Sequence, residues 1–427
     1  MTNILDEFKW RGLISQTTDE AALREAFDSG PVTFYTGFDP TGPSLHIGHM
    51  IQLLNMRRLQ QAGHKPIALV GGATGLIGDP KPTTERAMHD ESVVAGWVTK
   101  IHDQIAPFLS FEGENAATVV NNLDWTSQLS AIDLLRDVGK AFRMTTMLNR
   151  DIVSRRLDSD EGLSFTEFSY QLLQANDFRE LLRRENCILQ MGGNDQWGNM
   201  VGGAEFIRKT DGNIAHVLAT PLITKSDGSK MGKSEGGAVW LDPEMMSPYA
   251  FYQFWLNTPD DDVVHYLKVF TFRTQEEIAA LENSVKEQPH LREAQRALAA
   301  DLTTLVHGKA ALDGAIFAAS AIFGRGDLHE LDLNTLKGVA QELPTADVAP
   351  GTSLIDAAVA VKLVKSKGEA RRAIAEGGLY LNNEKVTDVE QTLSPEDFLQ
   401  GTYALIRRGK KTLGVAQKAN ATSPVLP

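Results

Sequence analysis

Apolar residues recur along this chain in two alternating rhythms. Short apolar runs at Val32 to Thr36, Pro66 to Gly71, Thr118 to Asn122 and Asn186 to Gln190 read as buried strands. Between them, apolar positions three and four apart mark helices at about Asp19 to Asp28, Asp90 to Leu109, from Ser130, and Phe165 to Arg184. A further helix opens at Ser44, a good N-cap, and runs through Leu54 and Leu59 to Gly63 as its C-cap. In the helix from Phe165, one apolar stripe holds Phe165, Phe168, Leu172 and Ala175, while Tyr170, Gln174 and Asp177 share the opposite side. On pattern alone that polar side faces solvent. From about Ser247 to Gly324 the rhythm is helical throughout, with Trp255, Tyr266, Leu267, Leu281 and Leu302 among its apolar positions. Residues 325–351, with Pro344 and Pro350, have weaker periodicity and read as a connector.

Strands alternating with helices predict an α/β fold with a parallel sheet of Rossmann type, whose ligands bind at the carboxyl ends of strands. The loops at residues 37–43, 71–80 and 192–196 all fall at such ends. The expected organisation is a sheet domain over 1–245, an α-helical domain over 246–324, the connector 325–351, and a small α+β domain with its tail over 352–427.

Composition narrows this little. With 427 residues, 42% of them hydrophobic and 23% charged, the chain has length for two or three globular domains. Its acidic opening lacks the apolar run of a signal peptide, and the apolar stretch Gly314 to Gly324 is far short of the ~20 residues that span a bilayer. A single cysteine, Cys187, excludes an internal disulfide and fits a reducing, cytoplasmic compartment; a packed strand residue is the expectation for it. The net charge of −13 argues against a protein coated in nucleic acid. Residues 352–427 differ, with 11 Lys/Arg against 8 Asp/Glu, which points to an RNA contact confined to that end.

Two stretches carry candidate chemistry. In Tyr35-Thr36-Gly37-Phe38-Asp39-Pro40-Thr41-Gly42-Pro43-Ser44-Leu45-His46-Ile47-Gly48-His49, two histidines three apart lie on one side of a helix start, where free N–H groups and the dipole favour phosphate. Gly48 leaves room for a flat ring against the backbone. A zinc-protease pair needs i, i+4 spacing with a Glu between, which is missing; ordinary surface or core histidines remain an alternative. Far downstream, residues 225–237 place Lys225, Lys230 and Lys233 with several hydroxyls in a glycine-rich segment, too mobile by composition for helix or strand. Such a segment suits either a solvated surface loop or one that closes on polyphosphate.

Together, His46-Ile47-Gly48-His49 and Lys230-Met231-Gly232-Lys233-Ser234 resemble the paired HIGH and KMSKS signatures of class I aminoacyl-tRNA synthetases. With Gly71 to Pro80, Phe165 to Tyr170 and Gly192 to Asn199, the pattern resembles the bacterial-type tyrosyl-tRNA synthetases over nearly the whole chain. The resemblance implies activation of tyrosine with ATP, then transfer to tRNA. It assigns Thr41, His46, His49, Lys230, Lys233, Ser234 and Arg86 to catalysis, and Gly37, Asp39, Gly48, Gly193, Asp195 and Lys233 to ATP. Tyr35, Asp79, Tyr170, Gln174, Asp177 and Gln196 would bind tyrosine, with Tyr35 and Asp177 on the phenol. No tightly bound cofactor is implied, only Mg²⁺ accompanying ATP; the expected assembly is a homodimer away from membranes.

Tryptophanyl-tRNA synthetases share both signatures, but the Tyr35/Asp177 pair and the basic tail resemble the tyrosyl branch. That tail resembles a small RNA-binding module shared with a ribosomal protein. Its helices would open at Ser353 and Ser366, a hairpin would span Gly378 to Val386, and Lys365, Lys367, Arg371 and Arg372 would contact RNA. Removing 352–427 is expected to spare activation and cripple charging. The chain departs from the family pattern in a loop from Asp79 to Arg86 that is one residue shorter, leaving the part of Lys81 open, and in Gln52 and Gly232.

Overall fold

The computed structural model describes residues 3–419 apart from 82, 83, 85–87, 161, 229, 230, 232, 235, 236 and 411; of Asp151, Lys233 and Ser234 it describes the backbone alone. The chain divides into two compact units, Met1–Leu241 with Asp260–Asn283, and Asp242–Pro259 with Ser284–Pro427.

The first unit is built on six strands: β1 (Gln16–Thr17), β2 (Thr33–Phe38), β3 (Lys65–Val70), β4 (Thr118–Asn121), β5 (Leu189–Gly193) and β6 (His216–Thr220). Their order is β1-β6-β5-β2-β3-β4, all parallel except the edge strand β1. Every residue of β6 is buried, as are Ile67 to Val70 of β3. This is the continuous apolar run expected of parallel strands covered on both faces. The chain steps outward from β2 to β3 and β4, then returns to β2's other side for β5 and β6. The crevice between β2 and β5 is therefore the switch point, and Phe38 and Gly193 end its two walls.

Three helices frame that crevice. Ile47–Gln61 follows β2, Phe165–Glu185 precedes β5, and Trp197–Asp211 follows it. The first does not open at Ser44. Its N-cap is His46, because Ser44 Oγ is spent on Leu45 O and Gln104 Oε1, and residues 45–47 stay extended to pair with 239–241. Gly63 follows the helix at φ +96°, one residue past the cap at Ala62. The helix Phe165–Glu185 is capped by Ser164, which accepts from Glu167 N, and ends on Asn186 in the left-handed region. Phe168, Leu172 and Ala175 pack into a core cluster as expected, but Phe165, in the first turn, is 73% exposed. Tyr170 and Asp177 do not face solvent; both are buried.

The helix Asp260–Phe270, expected within the helical domain, belongs to this unit. Its last carbonyls are taken by two buried guanidiniums: Arg11 donates to Lys268 O and Thr271 O, and Arg58 to Val269 O and Thr271 O. The segment 225–237 is not wholly irregular either, since β7 (Lys233–Ser234) pairs with β8 (Gly237–Ala238).

In the second unit, helices Pro248–Leu256, Glu293–His307 and Lys309–Ala321 pack with Leu333–Glu342. The latter lies in the stretch expected to be a connector. That stretch also supplies β9 (Thr345–Val348), which joins β10 (Leu379–Leu381), β11 (Glu384–Lys385), β12 (Tyr403–Arg408) and β13 (Thr412–Lys418) in a sheet ordered β11-β10-β12-β13-β9. β9 runs parallel to β13, with Thr345 opposite Val415. One apolar cluster then unites Tyr249, Ile322, Leu336 and Val339 with Leu399, Tyr403, Leu405, Leu413 and Val415. Ser353 and Ser366 cap the helices Leu354–Ala360 and Lys367–Ala375, and Asn382 and Asn383 turn the β10–β11 hairpin at positive φ.

Candidate functional site

A cavity of about 420 Å³ opens at the switch point, lined by the carboxyl ends of β2 and β5 and by the three framing helices. Its rim holds the histidine signature in a reciprocal cap. Gly48 N donates to His46 Nδ1 at 3.0 Å, and His46 N donates to His49 Nδ1 at 3.3 Å, with the rings stacked 4.0 Å apart. Each Nδ1 accepts a backbone N–H, so each neutral ring carries its proton on Nε2 as a donor. Burial lowers the pKa of both, that of His49 to about 3, with His46 beside it adding to the shift. The pair thus offers neutral donors at the positive end of a helix, suited to phosphate. A Cβ at residue 48 would stand 2.8 Å from His46 Cε1, so glycine is what lets the ring reach its cap.

The distant lysine segment returns to this spot. Ile47 N donates to Val239 O, Leu241 N to Leu45 O, and His46 forms an antiparallel bridge with Trp240, the rings 6.0 Å apart. Met231, inside the signature itself, lines the cavity. At the segment's other end, Ser226 N donates to Asp262 at 2.8 Å.

Deeper in, the lining turns polar and crowded. Tyr170 Oη donates to Asp39 Oδ2 at 2.6 Å, and Thr74 Oγ1 donates to Asp39 Oδ1 at 2.7 Å. Asp79 accepts from Gln196 Nε2 at 2.9 Å and from Asn199 Nδ2 at 3.2 Å. Asp177 accepts from Asn122 Nδ2 at 2.9 Å and Trp125 Nε1 at 2.8 Å. Burial raises Asp177 to about 7, although those two hydrogen bonds favour its ionised form. Burial, reinforced by Asp177, pushes the Tyr35 phenol well above its ordinary range. Tyr35 Oη, Gln174 Oε1 and Gln190 Oε1 are buried without a hydrogen-bond partner. Orphaned polar atoms cost about 1–3 kcal/mol each, so grouped on a cavity wall they point to a polar ligand that completes them.

The sequence matches the family of class I tRNA synthetases (W and Y) over residues 28–324, and the tyrosine--tRNA ligase SYY-like C-terminal domain over 335–415. It is 58% identical over 418 residues to a tyrosine--tRNA ligase of Streptomyces griseus, covering 98% of this chain and 99% of that protein. Against the tyrosine--tRNA ligase of Streptomyces coelicolor the identity is 56% over 422 residues, or 99% and 100% of the two chains. A C-terminally truncated mitochondrial tyrosyl-tRNA synthetase of Aspergillus nidulans superposes with a TM-score of 0.67 at 32% identity, over 74% of this chain and 92% of that one.

The chain belongs to the tyrosyl-tRNA synthetase family.

Of the residues that the family resemblance singles out, the cavity brings together Tyr35, Gly37, Asp39, Thr41, His46, Gly48, His49, Asp79, Tyr170, Gln174, Asp177, Gly193, Asp195 and Gln196. Arg86 and Lys230 lie outside the described residues, and Lys233 and Ser234 are described only as backbone of β7. Gln52, whose contact was open, donates through Nε2 to Thr220 Oγ1 at 2.7 Å and lines the cavity. Lys81 is exposed and absent from the lining; its carbonyl and that of Thr84 accept from Arg156, a buried guanidinium paired with Glu167 at 2.9 Å.

Sequence reasoning missed Thr74, Asn122 and Trp125, which hold Asp39 and Asp177. Their one signal is position, just past the carboxyl ends of β3 and β4. In the second unit Lys365, Lys367, Arg371 and Arg372 are all exposed; Lys367 pairs with Asp356 at 2.6 Å. Cys187 is buried, and its thiol is pushed well above the usual range by burial, as a packed residue rather than a nucleophile would be. Among the described residues no helix is long and apolar enough to cross a membrane.

Proposed function

We propose that both steps of tyrosine charging take place in this cavity. The tyrosine carboxylate attacks the α-phosphorus of ATP and expels pyrophosphate; a hydroxyl of the terminal tRNA adenosine then displaces AMP from the adenylate. No protein nucleophile is needed, because rate comes from placing the reactants and stabilising charge on the polyphosphate. ATP enters as its Mg²⁺ complex. The observation that carries the amino-acid assignment is the unpartnered phenol of Tyr35 on the buried wall that also holds Asp177. A substrate phenol would pair the Tyr35 hydroxyl and add a further hydrogen bond to Asp177, and phenylalanine would leave the Tyr35 hydroxyl unpaired.

Asp79, Tyr170 and Gln174 receive the ammonium, and Gln196 helps orient the carboxylate. Thr41 and His46 meet the γ-phosphate side, His49 binds near the ribose, and Asp195 holds the ribose hydroxyls. Gly37, Asp39, Gly48 and Gly193 shape the nucleotide side. Lys230, Lys233, Ser234 and Arg86 bring positive charge and hydroxyl to the leaving pyrophosphate. Lys365, Lys367, Arg371 and Arg372 bind tRNA phosphates, an interaction that should weaken steeply with salt. The active form is a homodimer, a reading supported by exposed apolar side chains at Ile132, Leu135, Met144, Leu157 and Phe165, and it works in the cytoplasm.

The test is tyrosine-dependent ATP–pyrophosphate exchange, with tryptophan and phenylalanine as controls, followed by charging of tRNA. Asp177→Ala should abolish exchange while the protein stays folded. Normal exchange in that variant would sink the pocket assignment.

A further inference from the structure

Arg150, the N-cap of the helix Asp151–Leu157, is outside the cavity lining, in a smaller hollow with Phe142, Met147 and Phe206. Its Nη1 donates to Asn199 Oδ1 at 2.8 Å. With its oxygen taken, Asn199 can present only its NH₂ group inward, and Nδ2 lies 3.2 Å from both Asp79 Oδ1 and Gln196 Oε1. That contact occupies the Gln196 oxygen in turn. Gln196 Nε2 is then the end directed at Asp79 Oδ2, at 2.9 Å, and its second hydrogen remains for the cavity. Each of these amides could be reversed by a half-turn at almost no steric cost. Asp79, accepting from both amide nitrogens, and Arg150, donating to the Asn199 oxygen from outside the cavity, together fix the direction of both.

The helix Trp197–Asp211 is shaped for that cation. A Cβ at Gly202 would stand 2.5 Å from Arg150 Nη2, and one at Gly198 would stand 3.8 Å from its Cδ. The two glycines, one turn apart, form the trough along which the Arg150 side chain reaches Asn199.

We infer that Arg150 is a positioning residue for the amino-acid carboxylate: by clamping Asn199 from the side opposite Asp79, it holds Gln196 with an N–H donor facing the anionic end of tyrosine. This rests on the assignment of Gln196 to the carboxylate proposed above. Without the guanidinium, Asn199 Oδ1 loses its donor and the amide pair is held from the Asp79 side alone, so the Gln196 N–H that faces that anion is less firmly placed.

The experiment compares tyrosine with tyramine, which keeps the phenol and ammonium but lacks the carboxylate, in pyrophosphate exchange by the full-length protein. In Arg150→Met the KM for tyrosine rises about tenfold or more, the value of one orphaned hydrogen bond. Inhibition by tyramine and the KM for ATP stay within about twofold, because neither depends on that donor. Arg150→Lys, which keeps one donor within reach of Asn199, recovers most of the loss. Gly202→Ala, which displaces the guanidinium, shifts KM in the same direction, and adding it to Arg150→Met brings no further loss. Equal weakening of tyrosine and tyramine overturns the inference, as does a fall in active-site number with KM unchanged. Loss of the carboxylate preference in Gln196→Ala but not in Arg150→Met overturns it alone. A wild-type KM in Gln196→Ala overturns the underlying assignment and the inference with it.

Discussion

Replacing Tyr35 by phenylalanine separates recognition from folding. The side chain is 1% exposed and its ring packs against Phe178 at a centroid distance of 5.3 Å, contacts that the substitution leaves in place. The hydroxyl it removes has no hydrogen-bond partner in the protein. Stability should therefore not fall, and can rise by up to about 1 kcal/mol as an unsatisfied group disappears. The substrate experiences the opposite. Tyrosine loses one neutral hydrogen bond worth about 0.5–1.5 kcal/mol, so kcat/KM drops by about two- to thirteenfold. Phenylalanine finds the hydroxyl unpaired before it binds as well as after, so its kcat/KM should stay within about twofold. The tyrosine-to-phenylalanine ratio thus falls by about two- to thirteenfold, while Asp177 preserves part of the preference. Exchange kinetics with both amino acids, alongside urea denaturation, give the answer. An unchanged ratio, or a stability loss above about 1 kcal/mol, would refute the reasoning.

With Asp177 at about 7, the free pocket should be half protonated near neutrality. If the ionised carboxylate accepts the substrate phenol, KM for tyrosine rises as pH falls below 7, by about fivefold at one unit below; an Asp177→Asn variant should lack that slope, and a flat profile in the parent would contradict it. The same raised pKa makes Asp177 a liability to the fold, since its stability contribution is present below the unfolded value of 3.8 and is lost as pH rises to about 7. Gly71→Ala would set a Cβ 2.1 Å from Asp39 Oδ1, dislodging the acceptor of Tyr170 and Thr74, and should cost about 1–3 kcal/mol in denaturation along with most exchange activity. Glu167→Gln leaves the buried Arg156 charge uncompensated at a cost of about 3–5 kcal/mol, readable as a fall in Tm. A chain ending at 351 should keep tyrosine activation and lose charging, yet it also strips Leu405, Leu413 and Val415 from the cluster around Leu336; each such side chain is worth about 1.5–3 kcal/mol, so an unchanged Tm would mean that this shared core contributes nothing.

Where local chemistry decides, the sequence was sufficient. Asp19, Ser353 and Ser366 stand at the helix starts expected of them and cap those helices, and the apolar runs around Ile67 and Val119 became parallel strands. Where a distant segment decides, it was not. Ser44 lost its cap to His46 because residues 239–241 hold the preceding backbone extended. Tyr170 and Asp177 read as a solvated face because no local pattern distinguishes water from a cavity. Residues 333–348 read as a connector because their partners, Tyr249 and β13, lie about a hundred residues upstream and seventy downstream. Tyr35, Asp79 and Gln196 could be named only through family resemblance. Nothing in spacing tells which carboxylate meets an ammonium and which a phenol.

The pairing of β9 with β13 bears on how this protein is made. The first unit has all its residues once position 283 has left the ribosome. The second cannot finish, because the strand that β9 requires is the last described element of the chain, Thr412–Lys418. Until Leu405, Leu413 and Val415 have been made, Tyr249, Leu336 and Val339 lack the side chains that complete their core. The helical layer must therefore wait, partly uncovered, for residues 412–418 to be made. A product that stalls even a few residues before Thr412 would emerge with an intact amino-acid pocket and an aggregation-prone half.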